Sequence, residues 1–288
     1  MRSFFDTKKL TNNNLLKYLT ISIYKRLKLI LMKIKIEINE IIYPKEKRFF
    51  DLITSYAESG LNTDRNSHIK KLNKCLTDLD LPKYNEELGM YSEHLIMFSA
   101  ISSSSFVPKN ILEIGTYDGK TALILAYLFP NSEITTIDLK DDDKDFKTTY
   151  NRMNKLELFS KQRNQILKKY SNIKFVQCNS LELTIEKDIK KQDLIWVDGA
   201  HGYPVASIDI TNSIKLLKRN GILMCDDVWK NLKKNDRFYK SNASYETLNA
   251  FSDLGIIKTI FFRKRIGKKY NGNYKYVSFS KLSPTFHK

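Results

Sequence analysis

The hydrophobic pattern of the chain changes at about residue 109. Beyond that point, short apolar runs with the length of buried strands alternate with helical stretches, and glycine or proline stands between several of them. Strands are predicted at 111–114, 133–137, 173–178, 193–197 and 222–225. Helices are predicted at 121–129, 145–170 and 205–217, the last ended by Asn220 and Gly221. This alternation predicts a parallel sheet covered on both faces.

Two more strands are predicted near the end of the chain, at 256–262 and 274–279, after a helix at 244–253. Only the polar, glycine-containing segment 264–273 separates them, so they should pair antiparallel as a hairpin. The expected fold class is therefore α/β and Rossmann-like, with five parallel strands and a terminal antiparallel hairpin. In such sheets ligands bind at the carboxyl ends of the strands, where the strand order reverses.

The part of the chain before residue 109 is predicted to be helical. Over 14–43 apolar residues recur at helical spacing beside many lysines, so 1–44 is expected to form a basic amphipathic extension. Its apolar stripe favours packing on its own domain or on a second subunit, and hence a homo-oligomer; the alternative is peripheral contact with a membrane surface. Residues 45–108 have helical signals at 49–56, 68–76 and 91–102 and are predicted to form a lid over the substrate, with 109–288 as the main domain.

Composition narrows the classes of partner and compartment. The net charge of +17 suggests binding to a nucleic acid or to an anionic membrane. However, the basic residues are mostly lysine, and no arginine-rich run with interleaved aromatic residues occurs, so binding to nucleic acid is disfavoured. The cysteines Cys75, Cys178 and Cys225 share no CxxC spacing, so buried thiols in a reducing cytosol are expected. The chain lacks a signal-like start and an uninterrupted apolar stretch of about 20 residues. We therefore expect a soluble, cytoplasmic protein.

A candidate nucleotide-type site begins with the segment ILEIGTYDGKTALILA, which predicts strand, glycine turn and helix. Gly115 and Gly119 suit a turn in which the backbone approaches a ligand closely and the helix begins without a side-chain clash. A P-loop needs four residues between its glycines, and this turn has three. Further along, Asp138 ends the second strand, where a carboxylate can accept hydrogen bonds from both ribose hydroxyls of an adenosine ligand.

Carboxylates also follow the fourth and fifth predicted strands. Asp198 stands in WVDGAHGY, and Asp226 with Asp227 in LMCDDVW. Neighbouring parallel strands bring the three acids to one rim, where they repel one another unless a cation such as Mg²⁺ joins them. His201 follows closely and is a suitable base for a hydroxyl acidified by a metal. Alternatively, His201 is a structural histidine that bridges two loops.

The segment from Glu113 to Gly119 resembles the first motif of class I S-adenosylmethionine methyltransferases. It is closest to the LEIGTxxG form of catechol- and caffeoyl-CoA-type O-methyltransferases, with one extra residue before the second glycine. The resemblance covers about 91–280, including the antiparallel seventh strand of that fold. It implies that Gly115 lies under the methionine part of the cofactor, that Glu113 organises the turn and that Asp138 holds the ribose. It further assigns cofactor binding to Thr116, Tyr117, Gly119 and, near the adenine, Asn179 and Ser180.

The resemblance extends to the chemistry. Metal-dependent O-methyltransferases have a ligand Asp after the fourth strand and an Asp-Asn pair after the fifth, which implies metal ligation by Asp198, Asp226 and Asp227, the last in place of the usual Asn. The DGxHxY form around His201 resembles enzymes that methylate sugar hydroxyls of macrolides and related glycans. No NPPY-like tetrapeptide follows the fourth strand, which argues against methylation of nucleic-acid bases.

The leading hypothesis is therefore an S-adenosylmethionine-dependent O-methyltransferase assisted by Mg²⁺ or another hard divalent cation. Its acceptor would be a hydroxyl of a sugar or other polyhydroxylated small molecule, for example on a glycan or a glycosylated metabolite, with His201 and Asp198 as catalytic residues. Two alternatives stay open. One is a metal-independent methyltransferase with another acceptor, and the other is a non-catalytic cofactor-binding module that docks to a membrane or a partner.

Overall fold

The computed structural model describes residues 23–24, 27–28, 30–31, 44–149, 155–186, 189–232, 240–270 and 273–284. Contacts divide the chain into two compact units, 1–49 and 50–288. In the first unit the described residues between 23 and 31 are helical, and the rest of the predicted extension at 14–43 lies outside the described residues. The three-part division at 44 and 108, the partner of the apolar stripe and a homo-oligomer stay predictions. Among the described residues no helix is both long enough and apolar enough to cross a membrane.

The elements follow the predicted alternation closely. The helices are α1 (Lys45–Ser59), α2 (Arg65–Asp78), α3 (Glu93–Ile101), α4 (Lys120–Leu128), α5 (Lys144–Thr148), α6 (Leu156–Leu167), α7 (Val205–Leu216) and α8 (Ala243–Asp253). The strands are β1 (Asn110–Ile114), β2 (Glu133–Asp138), β3 (Ile173–Gln177), β4 (Gln192–Val197), β5 (Leu217–Trp229), β6 (Ile257–Arg263) and β7 (Lys275–Leu282).

The seven strands form one sheet in the order β3-β2-β1-β4-β5-β7-β6. The first five strands pair in parallel, and β7 runs antiparallel to both β5 and β6. This confirms the α/β, Rossmann-like sheet with an antiparallel terminal hairpin that the resemblance implied. The strand order reverses between β1 and β4, which places the ligand crevice at the carboxyl ends of these two strands.

The helices that precede the sheet are held together by one buried ion pair. Glu93, at the start of α3, accepts hydrogen bonds from Arg65 Nη2 at 2.8 Å and from the Tyr56 hydroxyl at 2.7 Å. The helix α3 is buried along its whole length, and Phe98 packs edge-on against Trp196 of β4 with ring centroids 5.3 Å apart. The segment 91–102 is thus helical as predicted and lies against the sheet.

The structure corrects two predicted elements. The helical stretch 145–170 is interrupted, because α5 ends at Thr148 and the next residue, Thr149, is extended. The Thr149 hydroxyl donates to the Asp145 carbonyl at 2.6 Å, a local side-chain bond that competes with helix continuation. The second error concerns Asn220 and Gly221, which lie inside β5 and do not end α7. A Cβ on Gly221 would lie 2.7 Å from Leu217 Cδ1, so glycine is needed there for close packing.

Candidate active site

The register of the sheet gathers the predicted site residues at one rim. Four strand residues form a continuous row across β2, β1, β4 and β5: Ile137, Ile114, Val197 and Cys225. The residues that follow them along the chain are therefore neighbours at the carboxyl ends: Asp138, Gly115, Asp198 and Asp226. Each of these four was predicted as a site residue from its position at the end of a strand.

The turn after β1 requires glycine at two positions. Gly115 has φ +100°, and a Cβ there would lie only 2.4 Å from the Asp198 carbonyl oxygen. Gly119 caps the start of α4 with φ +80°, and a Cβ there would touch Leu167 Cδ2 at 3.0 Å. Gly115 thus permits a close approach between two backbone segments. The turn after β1 lies directly against the loop after β4 that contains Asp198.

A chain of three buried polar side chains fixes the floor of this turn. Thr136 Oγ1 donates to Glu113 Oε2 at 2.6 Å and lies 2.6 Å from Thr116 Oγ1. The pKa of Glu113 is raised to about 8, mainly by burial; the Thr136 bond acts in the opposite direction and the charge of Asp138 adds to the rise. Glu113 is therefore protonated at neutral pH and holds Thr116 through Thr136, which gives physical content to its predicted role in organising the turn.

Asp138 faces the same turn from the end of β2. Its Oδ2 accepts from the Tyr117 backbone N–H at 3.0 Å and its Oδ1 from the Leu139 N–H at 2.9 Å. Tyr117 itself has φ +49°, which aims its N–H at the carboxylate. The two backbone bonds fix the carboxylate in place beside the glycine turn. The glycine turn and this half-buried carboxylate fit an adenosine-type cofactor.

The residues predicted near the adenine lie one strand further out, after β3. Asn179 is exposed and its side chain accepts from the Leu181 N–H at 3.1 Å, which caps a short 3-10 helix. Ser180 begins that helix, and its carbonyl accepts from Asn212 Nδ2 at 3.1 Å. These contacts explain the local conformation; adenine contact by Asn179 and Ser180 stays a prediction.

His201 lies between two of the predicted carboxylates. Its Nε2 is 3.6 Å from Asp198 Oδ1 and 3.9 Å from Asp227 Oδ2. Burial lowers the pKa of His201 below its ordinary value, an effect that the neighbouring carboxylates only partly offset. Burial, together with the charge of Asp226, raises the pKa of Asp198 well above its usual range. The imidazole is therefore neutral at pH 7, the form that can accept a proton.

Asp226 and Asp227 do not follow β5, as predicted, but lie inside it at a bulge. The pairing with β7 slips between Cys225 and Val228, and Asp227 has φ +49°. A bulge re-aims side chains within a strand. Here it lets two successive carboxylates reach the same cluster, which consecutive strand residues on opposite faces would not do.

Two lysines that the sequence analysis missed bind these carboxylates. Lys264 Nζ donates to Asp226 Oδ2 and Asp227 Oδ1, and Lys275 Nζ donates to Asp227 Oδ2. Burial alone would raise the pKa of Asp227, but the positive charges of Lys264 and Lys275 hold it well below the usual range. Asp226 Oδ1 is buried without a hydrogen-bond partner among the described residues.

The predicted metal ligands do not fit a divalent cation in this arrangement. Within the described part of the chain, no group of three His, Cys, Asp or Glu side chains is placed to hold a metal ion. Three of the four carboxylate oxygens of Asp226 and Asp227 accept from ammonium groups, so a metal would have to displace Lys264. The structure therefore departs from the expected set of metal ligands, Asp198, Asp226 and Asp227, because ammonium groups already bind two of these carboxylates.

The predicted hairpin indicated where both lysines would lie. Lys264 and Lys275 stand at the two ends of the connection between β6 and β7. Because β7 runs antiparallel to β5, with Lys275 paired to Trp229, this connection lies at the rim where β5 ends. Residues at a hairpin turn thus reach the carboxyl ends of the parallel strands.

His94, which carried no functional signal in the sequence, lies close to the cluster but has a packing role. Its ring stacks on Trp196 with centroids 4.9 Å apart, and its Nδ1 is 2.6 Å from Ser92 Oγ. Burial lowers the pKa of His94 to about 4 although Asp226 raises it. It forms a neutral wall behind the cluster.

With this geometry in view, the comparisons with known proteins decide the class. A family model described as a methyltransferase domain matches residues 112–228, a range that includes all the predicted site residues. The chain carries a methyltransferase domain. The order of its strands with β7 antiparallel is that of class I, so we describe the chain as an S-adenosylmethionine-dependent methyltransferase. A search of curated proteins found no match.

Among solved structures the methyltransferase is similar to several others at low identity. The O-methyltransferase TomG of Streptomyces achromogenes, solved with S-adenosylmethionine, is 14% identical over 75% of this chain and 89% of its own, with a TM-score of 0.46. An O-methyltransferase of Bacillus cereus is 13% identical over 75% and 91%, with a TM-score of 0.45. The Podospora anserina methyltransferase PaMTH1 is 18% identical over 80% and 92%, with a TM-score of 0.43.

Proposed function

We propose that this methyltransferase transfers the methyl group to a hydroxyl of a sugar or another polyhydroxylated small molecule. The observation that carries the proposal is the position of His201, a neutral imidazole 3.6 Å from Asp198 at the end of β4. Its strand is the immediate neighbour of β1, whose glycine turn fits the cofactor. A base beside the cofactor crevice is what the methylation of a weakly acidic hydroxyl needs.

The residues of the cofactor site have separable roles. Asp138 would accept the ribose hydroxyls, Gly115 would leave room beside the methionine part, and Thr116 with Glu113 would keep the turn rigid. Bound S-adenosylmethionine supplies an electrophilic methyl group on a sulfonium. The chain itself brings the acceptor oxygen into line with that methyl group, and such positioning provides much of the acceleration in a transfer of this kind.

His201 would take the proton of the acceptor hydroxyl. A lone pair of the acceptor oxygen forms the new O–CH₃ bond and the C–S bonding pair stays on sulfur. The O–H bonding pair stays on oxygen as the proton moves to His201 Nε2, where it remains until water removes it. The Asp227 carboxylate, 3.9 Å from Nε2, would stabilise the resulting imidazolium by its charge, and Asp198 lies 3.6 Å from the same nitrogen. No step of this mechanism depends on a metal, because Lys264 and Lys275 already bind the carboxylates of Asp226 and Asp227.

The test is a methyl-transfer assay with S-adenosylmethionine carrying a tritiated methyl group and a panel of acceptors. The panel should include monosaccharides, glycosides and other polyols, with amines and carboxylic acids of similar size as comparison classes. We expect label in at least one hydroxyl acceptor, and a loss of about 10²- to 10⁴-fold in His201→Gln. Label that enters only amines or carboxylic acids, or an unchanged rate in His201→Gln, would refute the proposal.

A further inference from the structure

The ammonium of Lys264 occupies the position at which a metal ion was expected. Lys264 Nζ bonds both Asp226 and Asp227, and its side chain is only 8% exposed. The backbone on both sides of this ammonium is fixed as well. The Lys264 N–H donates to the Lys275 carbonyl at 3.0 Å, and the Lys264 carbonyl accepts from the Glu93 N–H at 3.0 Å. The positive charge is thus part of the folded framework.

Lys275 completes the charge balance of this cluster. It binds the outer oxygen of Asp227, and its Nζ lies 4.7 Å from the ring centroid of Tyr270 and 5.2 Å from that of Trp229. Two carboxylates therefore face two ammonium groups. The charges of Asp226 and Asp227 are thus balanced by those of the two ammonium groups. A divalent cation added to this cluster would be repelled by two positive charges without a net negative charge to attract it, which opposes metal binding.

Two hydrogen-bonding positions at the cluster are open. An ammonium has three N–H donors, and within the described residues Lys264 Nζ donates to two acceptors. Asp226 Oδ1 is buried with no donor among those residues, and a buried acceptor without a partner is rare in native proteins. An acceptor with two neighbouring hydroxyls matches both positions: the reacting oxygen accepts from Lys264, and the second hydroxyl donates to Asp226 Oδ1.

We propose that Lys264 replaces the divalent cation of related enzymes: its ammonium binds the reacting oxygen of the acceptor and stabilises the negative charge that forms there, while Asp226 Oδ1 receives a hydrogen bond from a neighbouring, non-reacting hydroxyl of the acceptor. This rests on the proposed transfer to a hydroxyl. Methyl transfer then needs no metal. The bonds made and broken are those given above, with the proton on His201, and Lys264 keeps all its protons throughout.

The test titrates Mn²⁺ into the full-length, EDTA-treated protein and follows the free ion by electron paramagnetic resonance. The wild-type protein should bind no Mn²⁺, whereas Lys264→Met, which keeps an apolar stem and frees two carboxylates, should bind one ion. Lys258→Met is the matched control, because Lys258 is an exposed lysine on β6. Turnover of Lys264→Met should fall about 10²-fold, and Mn²⁺ should restore part of it without affecting the wild-type rate.

Stoichiometric Mn²⁺ binding by the wild-type protein, lost in Asp226→Asn, would overturn the inference. A folded Lys264→Met protein that binds no Mn²⁺ would overturn it as well. If circular dichroism shows Lys264→Met to be unfolded, the wild-type measurements decide: turnover that persists in EDTA supports the inference, and turnover that requires Mg²⁺ refutes it. Failure to bind S-adenosylmethionine would instead refute the proposed function and leave the Mn²⁺ result intact.

Discussion

Gly115 lies so close to Asp198 that a side chain could not stand between them: a Cβ on Gly115 would be 2.4 Å from the Asp198 carbonyl oxygen. The turn that fits the cofactor and the loop that bears the acid and the base therefore touch through their backbones. Any shift of one loop moves the other, so the position of His201 relative to the cofactor depends on this one contact.

This contact predicts a specific effect of Gly115→Ala. The new Cβ collides with backbone atoms, and φ +100° is unfavourable for alanine. We expect S-adenosylmethionine binding to fall below detection and the melting temperature to drop. Gly255→Ala is the matched control, since Gly255 has φ +69° and open space around it; there only the backbone strain of about 1–2 kcal/mol should remain. Equal cofactor affinity in Gly115→Ala and the wild-type protein would contradict the close contact.

Glu113→Gln tests the protonated carboxyl beneath the turn. With its pKa raised from 4.5 to about 8, folded Glu113 keeps a proton that the unfolded chain releases between these values. Its contribution to stability is complete below pH 4.5 and is lost as pH rises toward 8. At pH 8 the neutral glutamine should therefore melt at least ~3 °C above the wild type, and at pH 4.5 the two should melt alike.

Thermal unfolding followed by circular dichroism at the two pH values measures this difference. Glu246→Gln, at an exposed position on α8, serves as the control for a lost surface charge. A wild-type protein that is the more stable of the two at pH 8 would show that Glu113 is ionised in the fold.

The pH dependence of turnover reports on His201. Because its pKa lies below the ordinary 6.5, the proton-accepting form should persist into mildly acidic solution. We predict a rate that is flat from pH 8 to 6.5 and falls only below that, measured at saturating cofactor with an acceptor found in the panel. The acidic fall should disappear from the residual activity of His201→Gln. A rate that already declines between pH 8 and 7 would contradict the neutral imidazole.

Much of the fold was predictable because its signals are local. Short apolar runs marked all seven strands, and the lack of a helix between β6 and β7 predicted the antiparallel hairpin. The interruption after Thr148 could not be predicted, because the bond from the Thr149 hydroxyl to the Asp145 carbonyl has no effect on apolar periodicity. The role of Gly221 could not be predicted either, because it depends on how close Leu217 lies to it across a bulge in β5.

The candidate site divides in the same way. Position at the end of a predicted strand was enough to find Asp138, Asp198, His201 and the acidic pair, although the acidic pair lies at a bulge inside β5. Lys264 could not be identified from the sequence because its partners are distant along the chain. The chain is also rich in lysine, so a single lysine gives no functional signal. Three-dimensional pairing of β5 with β7 was needed to bring it to Asp226.

The central claim is tested most directly by calorimetric titration of S-adenosylmethionine into the wild-type protein and into Asp138→Ala, with Asp142→Ala as an exposed acidic control. The wild type and Asp142→Ala should bind one equivalent with equal affinity, with or without Mg²⁺. Asp138→Ala should bind at least ~10-fold more weakly, because the ribose loses a charged acceptor whose bonds contribute about 1.5–3 kcal/mol. A wild-type protein that binds no S-adenosylmethionine would contradict the account.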